Sequence, residues 1–210
     1  KDNKIFQFNS LGAVPQDKKY AGEPCELVIG ERNTIREFCT FNIGSPGDTG
    51  VTKLGNDNWI MAYVHLAHDC HVGNHTIFAN SSQLAGHVHV GDWVILGGFT
   101  VVHQFCRLGA HSFTAMCTLL FADLPPYVTC QGQPASARTV NAEGLRRRGF
   151  SSEKINEIQD IYRVLFLKNS NTTKALDLVE AGFKPTEERD EIINFIRNSN
   201  RGVMKGFGNG

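Results

Sequence analysis

Histidine is the reactive side chain that this sequence concentrates. Five of its eight histidines fall within 23 residues, at His65, His68, His71, His75 and His87, and His89, His103 and His111 follow closely. An imidazole with an ordinary pKa of about 6.5 can take up or release a proton at neutral pH, and its neutral form ligates metals. Two chemistries fit such a cluster. Three imidazoles converging on one point could hold zinc with a water in the fourth position, as a zinc hydratase requires. Alternatively, one oriented imidazole takes the proton of a hydroxyl nucleophile while a backbone amide steadies the oxyanion that forms. A third reading is a non-catalytic scaffold with histidines on its solvated turns.

The choice depends on what holds these residues, and here the sequence is regular. Ten apolar residues stand at intervals of six: Leu54, Ile60, Leu66, Val72, Phe78, Leu84, Val90, Leu96, Val102 and Leu108. The position after each is Gly or Ala in eight of the ten steps, which reads as a small residue that lets the backbone turn. A period of six is neither helical nor a simple strand alternation; it marks a parallel β-helix whose coils stack on one another. With three hexapeptides to a coil, residues eighteen apart are stacked neighbours. His68 then lies above Gly86, beside His87, and Gln104 follows one coil later, beside His103. His65 shares the wall of that polar column.

The rest of the chain bounds the function. Lys+Arg and Asp+Glu balance at 21 each among 210 residues, so no global field points to nucleic acid or an anionic membrane. No apolar run is long enough for an integral membrane segment, and the first residues do not read as a signal peptide. Six scattered cysteines without a CxxC pair read as free thiols in a reducing cytoplasm. Ile5 and Leu11 already keep the rhythm at the start, which suggests earlier coils before Lys1.

Two domains are expected: a β-helix over 1–135 and a helical domain over 136–210. Fragments of the rhythm before residue 53 are broken by loops near 12–26 and 44–50, the second Gly/Pro-rich and expected to be mobile. Beyond Asp123-Leu124-Pro125-Pro126-Tyr127, Ile155, Ile158, Tyr162, Leu165 and Phe166 fall on one helical face after a start at Ser151-Ser152-Glu153. Further helices are expected near 172–180 and 187–199, with a frayed tail from Lys205. The helical domain would close an end of the solenoid that otherwise exposes strand edges.

The runs Ala67-His68-Asp69-Cys70, Leu84-Ala85-Gly86-His87-Val88, Val102-His103-Gln104-Phe105 and Asn141-Ala142-Glu143-Gly144-Leu145-Arg146-Arg147-Arg148-Gly149-Phe150 resemble the UDP-N-acetylglucosamine O-acyltransferases that begin lipid A synthesis. Upstream, Gln16-Asp17-Lys18-Lys19-Tyr20-Ala21-Gly22-Glu23-Pro24 resembles the same family, and the likeness spans essentially the whole chain. The resemblance implies a left-handed parallel β-helix with a C-terminal helical domain, assembled as a homotrimer with active sites between subunits. It implies transfer of a 3-hydroxyacyl group from acyl carrier protein to the sugar 3-hydroxyl of UDP-N-acetylglucosamine, without a metal or other cofactor. By the same resemblance His68 is the general base, Asp69 its orienting partner and Gly86 the oxyanion donor through its amide. His65, His87, His103 and Gln104 position sugar and thioester, and Asp17 and Lys19 reach in from the first loop across a subunit boundary. Asn141, Glu143, Arg147 and Arg148 match the nucleotide-recognition segment, where the forked donors of Arg suit a diphosphate. The basic run Arg146-Arg147-Arg148 could also face acidic acyl carrier protein or simply water.

Adjacent strand residues face opposite ways, so a His68–Asp69 dyad needs the bend of a coil corner. Two places depart from the family pattern. Asn42-Ile43-Gly44-Ser45 stands where many members carry His-Arg-Gly-Thr. Met116 falls at the family's acyl-chain ruler, where a Met would fill the groove and select a donor of about ten carbons, unless it is ordinary flexible filler. An N-acyltransferase or acetyltransferase of the same repeat family, or less readily a hexapeptide-repeat zinc carbonic anhydrase, remains the alternative.

Overall fold

The computed structural model describes residues 1–166 and 171–206. A left-handed parallel β-helix forms its larger part, with short strands stacked into three sheets of eight, six and five strands, here A, B and C. The chain visits the sheets in turn. Trp59–Ile60 lies in sheet A, His65–Leu66 in B and His71–Val72 in C. The next coil stacks in parallel register, Ile77 on Trp59, Gln83 on His65 and His89 on His71. One coil before, Thr40 pairs with His65, because the 44–50 loop takes up the additional residues.

The apolar ladder supplies the core. Leu54, Ile60, Leu66, Phe78, Leu84, Leu96 and Val102 are fully buried, and Val72, Val90 and Leu108 nearly so, while their strand neighbours face outward. Each buried aliphatic side chain contributes about 1.5–3 kcal/mol by leaving water. Stacked along one axis, they let two-residue strands persist that would be far too short alone.

The corners correct the sequence reading of the small residue. Gly55, Gly73, Gly91 and Gly109 do not take the left-handed backbone; the residue two places later does, with φ from 55° to 64° at Asp57, Tyr63, Asp69, His75, His87, Trp93, Phe99, Phe105 and His111 among others. None of these is glycine, and each bears a strain of roughly 1 kcal/mol in that region. The small residue is needed for a different reason. A Cβ on Gly55 would stand 2.4 Å from the Gly73 carbonyl oxygen of the next coil. Coil stacking sets that position's size, and the stacking offsets the strain of the turn.

After Leu119–Leu120 a hairpin of Val128–Gly132 and Ala135–Val140 extends sheet A, so the boundary expected at 135/136 falls inside that hairpin. Four helices follow: α1 (Ala142–Arg147), α2 (Ser152–Phe166), α3 (Thr172–Gly182) and α4 (Glu187–Arg197). Ile155, Ile158, Tyr162 and Leu165 of α2 are buried as their spacing requires, as are Ile192, Ile193 and Ile196 of α4. Asn171 and Thr186 cap α3 and α4 by accepting from the backbone amides of Lys174 and Arg189. Of the tail expected to fray, 207–210 lie outside the described residues.

The C–A corner ties the two parts together. Rings of His75, Trp93, His111 and Tyr127 stack in file, with centroids 4.2, 6.2 and 5.5 Å apart. Phe150 meets His111 edge-on at 5.1 Å, and Tyr127 donates its hydroxyl proton to Glu191 of α4. Buried Tyr162 donates to the Pro126 carbonyl at 2.6 Å.

Two measurements test this packing. Leu84→Ala should cost about 2–5 kcal/mol in denaturant unfolding, whereas Gln83→Ala on the outward face should cost little; equal losses would contradict the assigned alternation. Burial, reinforced by Arg148, pushes His111 down to about 4. The unfolded chain then binds that proton more tightly, so stability present above about pH 6.5 is lost as the pH falls toward 4. His111→Phe should lose less stability between pH 7 and 5 than the wild type, and identical losses would overturn the assignment.

Candidate active site

The B–C corner gathers the predicted reactive residues. His68 and Gly86 stack so closely that a Cβ on Gly86 would lie 2.7 Å from His68 Nε2. Only glycine leaves the space in front of the imidazole open. The Gly86 carbonyl accepts from Phe105 N and the His87 amide donates to the His68 carbonyl, whereas the Gly86 amide has no acceptor among the described residues.

The dyad forms because Asp69 occupies the left-handed corner position, φ 57°, which swings its side chain back beside the residue before it. Asp69 Oδ2 lies 2.9 Å from His68 Nδ1. The carboxylate is wholly buried, and its remaining valences are filled by Ser45 N at 2.9 Å, Gly50 N at 3.0 Å and Thr49 Oγ1 at 3.3 Å. Thr52 Oγ1 accepts from the Asp69 amide at 2.9 Å. A buried carboxylate needs such partners, and this one has four. With Nδ1–H committed to Asp69, His68 is left with Nε2 as its acceptor, beside Gly86.

The second loop, expected to be mobile, is strapped over this corner by hydrogen bonds. Ser45, Thr49 and Gly50 tie it to Asp69, and Asp48 Oδ2 lies 2.7 Å from His87 Nδ1. Ser45 also joins the first loop, donating from Oγ to Asp17 Oδ2 at 3.0 Å. A second expectation changes with it: Asp17 is held beside its own chain's dyad, not delivered across a subunit boundary. Backbone donation from Lys19, then the Ser45 hydroxyl, hold its carboxyl below the usual range against some burial, and His68 and Lys19 add attraction. The Lys19 side chain is exposed next to it.

The other candidates divide by corner. His65 lies on sheet B with Nδ1 2.7 Å from Thr40 Oγ1; burial lowers its pKa, the contact with Thr40 opposes that, and His68 adds repulsion. Gln104 is exposed one coil beyond Gly86, and His103 beside it takes a contact from Arg201 at 3.0 Å. Met116 does not share this column. It sits at the A–B corner, stacked past Gly98 and largely exposed, one sheet width away within the chain.

The 141–148 segment lies at the end of the C–A corner. Asn141 caps α1 by accepting from Gly144 N at 3.2 Å and donates to the His111 carbonyl at 2.9 Å. Glu143 pairs with Arg146 and Arg147 on the exposed face. Arg148 turns inward, Nη1 3.3 Å from His111 Nδ1 and its guanidinium 5.4 Å from the Trp93 ring centre.

His68, Asp69 and His87 bring ligand atoms within 4.8 Å of one another. Tetrahedral zinc, with bonds of about 2 Å, sets its ligands roughly 3.4 Å apart and asks a hydratase for three imidazoles. His65 points to Thr40 instead, so a third imidazole does not join them. A carboxylate on Nδ1 leaves Nε2 of each ring as the open nitrogen, able to take a proton.

Asp48 is the residue that reading the sequence missed. Its signal lay in topology: the extra residues inserted at the B–C corner, one coil from His68, must fold over that corner. Asn42, one of the departures noted above, is buried with its Oδ1 unpaired among the described residues.

Comparison with known proteins gives the family. A family model described as "Udp N-acetylglucosamine O-acyltransferase; Domain 2" matches residues 123–204, and a bacterial transferase hexapeptide model matches 52–86. The acyl-[acyl-carrier-protein]--UDP-N-acetylglucosamine O-acyltransferase of Albidiferax ferrireducens is 64% identical, over 98% of this chain and 80% of its own. The protein of that name from Thiobacillus denitrificans is 52% identical, over 97% of this chain and 79% of its own. Among solved structures, the UDP-N-acetylglucosamine acyltransferase of Francisella novicida superposes with a TM-score of 0.95 at 38% identity, covering 99% of this chain and 76% of that one. The Arabidopsis enzyme gives 0.92 at 35%, covering 97% and 74%. With most of its length shared at such identity, the chain belongs to the UDP-N-acetylglucosamine O-acyltransferases.

Proposed function

We propose that this chain transfers a 3-hydroxyacyl group from acyl carrier protein to the 3-hydroxyl of UDP-N-acetylglucosamine, with His68 as general base. The His68–Asp69 dyad facing Gly86 carries the mechanism. His68 Nε2 takes the hydroxyl proton as the sugar oxygen attacks the thioester carbonyl. The tetrahedral oxyanion that forms accepts from the Gly86 amide. Its collapse breaks the carbon–sulfur bond, and the proton held on His68 passes to the departing pantetheine thiolate. Asp69 fixes the tautomer throughout and stabilises the imidazolium between the two steps. Protons and electrons balance with these groups alone, so the reaction needs no cofactor beyond the carrier-borne donor.

Sugar and thioester would be positioned by Asp17, Lys19, His65, His87, His103 and Gln104. Asn141, Glu143, Arg147 and Arg148 would meet the nucleotide, which requires another chain, because one chain keeps them at a different corner. A homotrimer with sites between subunits answers that need. Its support is an exposed aromatic file on the A–B corner, Phe8 on Phe38 at 5.2 Å and Phe38 on Tyr63 at 5.0 Å, with exposed Phe99 and Met116 further along the same corner beyond Ser81. Apolar surface so aligned is characteristic of subunit contacts. Met116 would then reach a neighbour's acyl groove.

Among the described residues no helix is long and apolar enough to cross a membrane. All six cysteines are free, which suits the cytoplasm, where acyl carrier protein and nucleotide sugars meet.

His68→Ala should lower acyl transfer by at least a hundredfold without changing the unfolding midpoint, within the usual contribution of a general base of about 10²–10⁴; residual activity near wild type would sink the base assignment. Met116→Gly should shift the preference from about ten carbons to longer hydroxyacyl chains, as the filled groove opens. A wild-type preference for fourteen-carbon donors would remove Met116 as the ruler.

A further inference from the structure

The strap over the B–C corner brings a second carboxylate to a second imidazole. Asp48 Oδ2 stands 2.7 Å from His87 Nδ1, in the relation Asp69 bears to His68. Two more contacts hold the ring: Phe105 stacks on its face at 4.4 Å with planes 5° apart, and His68 meets it edge-on at 4.9 Å. His87 is thus fixed on three sides, and its Nε2 is the edge left for a ligand. The Asp48 side chain is 40% exposed. A carboxylate contact so open to water contributes little to folding. The loop's other anchors, Ser45 and Gly50, flank Asp48 and hold the strap to Asp69 without it.

We propose that Asp48 is a positioning residue of the acyl transfer. By accepting Nδ1–H it fixes the His87 tautomer and ring plane, so that Nε2 accepts a hydrogen bond from a substrate hydroxyl or amide beside His68. Two parallel Asp–His pairs then divide the work: Asp69–His68 moves the proton, and Asp48–His87 holds the sugar in line for it. The inference rests on the reading of His68 as base.

Steady-state kinetics of Asp48→Asn, Asp48→Glu and His87→Ala, together with the double variant Asp48→Asn/His87→Ala, test it. Outer carboxylate partners of metal-bound imidazoles are typically worth about 10–100-fold, and a similar effect is expected where the imidazole holds substrate. Asp48→Asn should therefore lower kcat/KM for the nucleotide sugar at least tenfold, with KM for the acyl donor and the unfolding midpoint unchanged. Asp48→Glu should recover part of the loss. Adding Asp48→Asn should cost nothing further once His87 is replaced by alanine, because the carboxylate acts only through that ring. The downfield Nδ1 proton of His87 in NMR of ¹⁵N-histidine enzyme should vanish in Asp48→Asn. An Asp48→Asn enzyme with wild-type kinetics and an unchanged His87 resonance, or losses that add in the double variant, would overturn the proposal. His68→Ala assayed alongside separates the two ideas. Full activity there would defeat the base assignment, while its collapse beside a normal Asp48→Asn enzyme would defeat only the role of Asp48.

Discussion

Everything in this molecule depends on one constraint: successive coils must stack at a fixed register, closely enough at the C–A corner that its first position has no room for a Cβ. Gly55 shows it most plainly, since a methyl there would stand 2.4 Å from the carbonyl of Gly73. Because strands are only two residues long through most of the repeat, no coil could survive without its neighbours, and stacking supplies nearly all of the stabilising contact. That same stacking forces non-glycine residues such as Asp69 and His87 into left-handed backbone. The strain is borne where it is useful: two of the strained residues at the B–C corner are Asp69 and His87. A flat strand could not bring Asp69 back to His68, and a glycine at the turn would have no side chain to bring.

The register also explains how much of the chain was legible in its sequence. Leu54 to Leu108 announced the solenoid because each side chain repeats one environment, and eighteen-residue stacking placed His68 against Gly86 without further information. Helices α2 and α4 were legible for a similar reason, apolar residues at helical spacing, whereas the short α1 was not expected. Loops obey no such period. Asp17 was assigned to a neighbouring subunit, and only the Ser45 hydroxyl, which bonds Asp17 while its amide bonds Asp69, reveals that the first loop folds onto its own corner. Asp48 escaped notice because nothing local marks a carboxylate in a Gly/Pro-rich loop; its partner is 39 residues away.

Met116 and the 141–148 segment show a further limit. Residues six or twelve apart in the repeat occupy different corners, so closeness in sequence does not mean closeness in space. Met116 on the A–B corner and Arg148 on the C–A corner cannot meet His68 within one prism. The exposed aromatic file on the A–B corner supplies a physical motive for association, and in the proposed trimer corners that diverge within a subunit converge between subunits. A rigid prism that cannot bend to close over its substrate would thus enclose it by assembly.

The two Asp–His pairs make opposite compromises. Asp69 is sealed from water, and its four hydrogen bonds offset the cost of burying a carboxylate; losing any of them would leave part of that cost uncovered. In the proposed mechanism its imidazole alternates between neutral and charged states, and a carboxylate fixed in a dry place suits that role. Asp48 is open to water and has little influence on folding. Its imidazole need not change charge; it needs only to point in one direction, and a single hydrogen bond with an aromatic ring beneath is enough for that. The buried pair therefore belongs to the fold as much as to the proposed reaction, whereas the exposed pair lies where a change in its proposed hold on the sugar would cost the fold least.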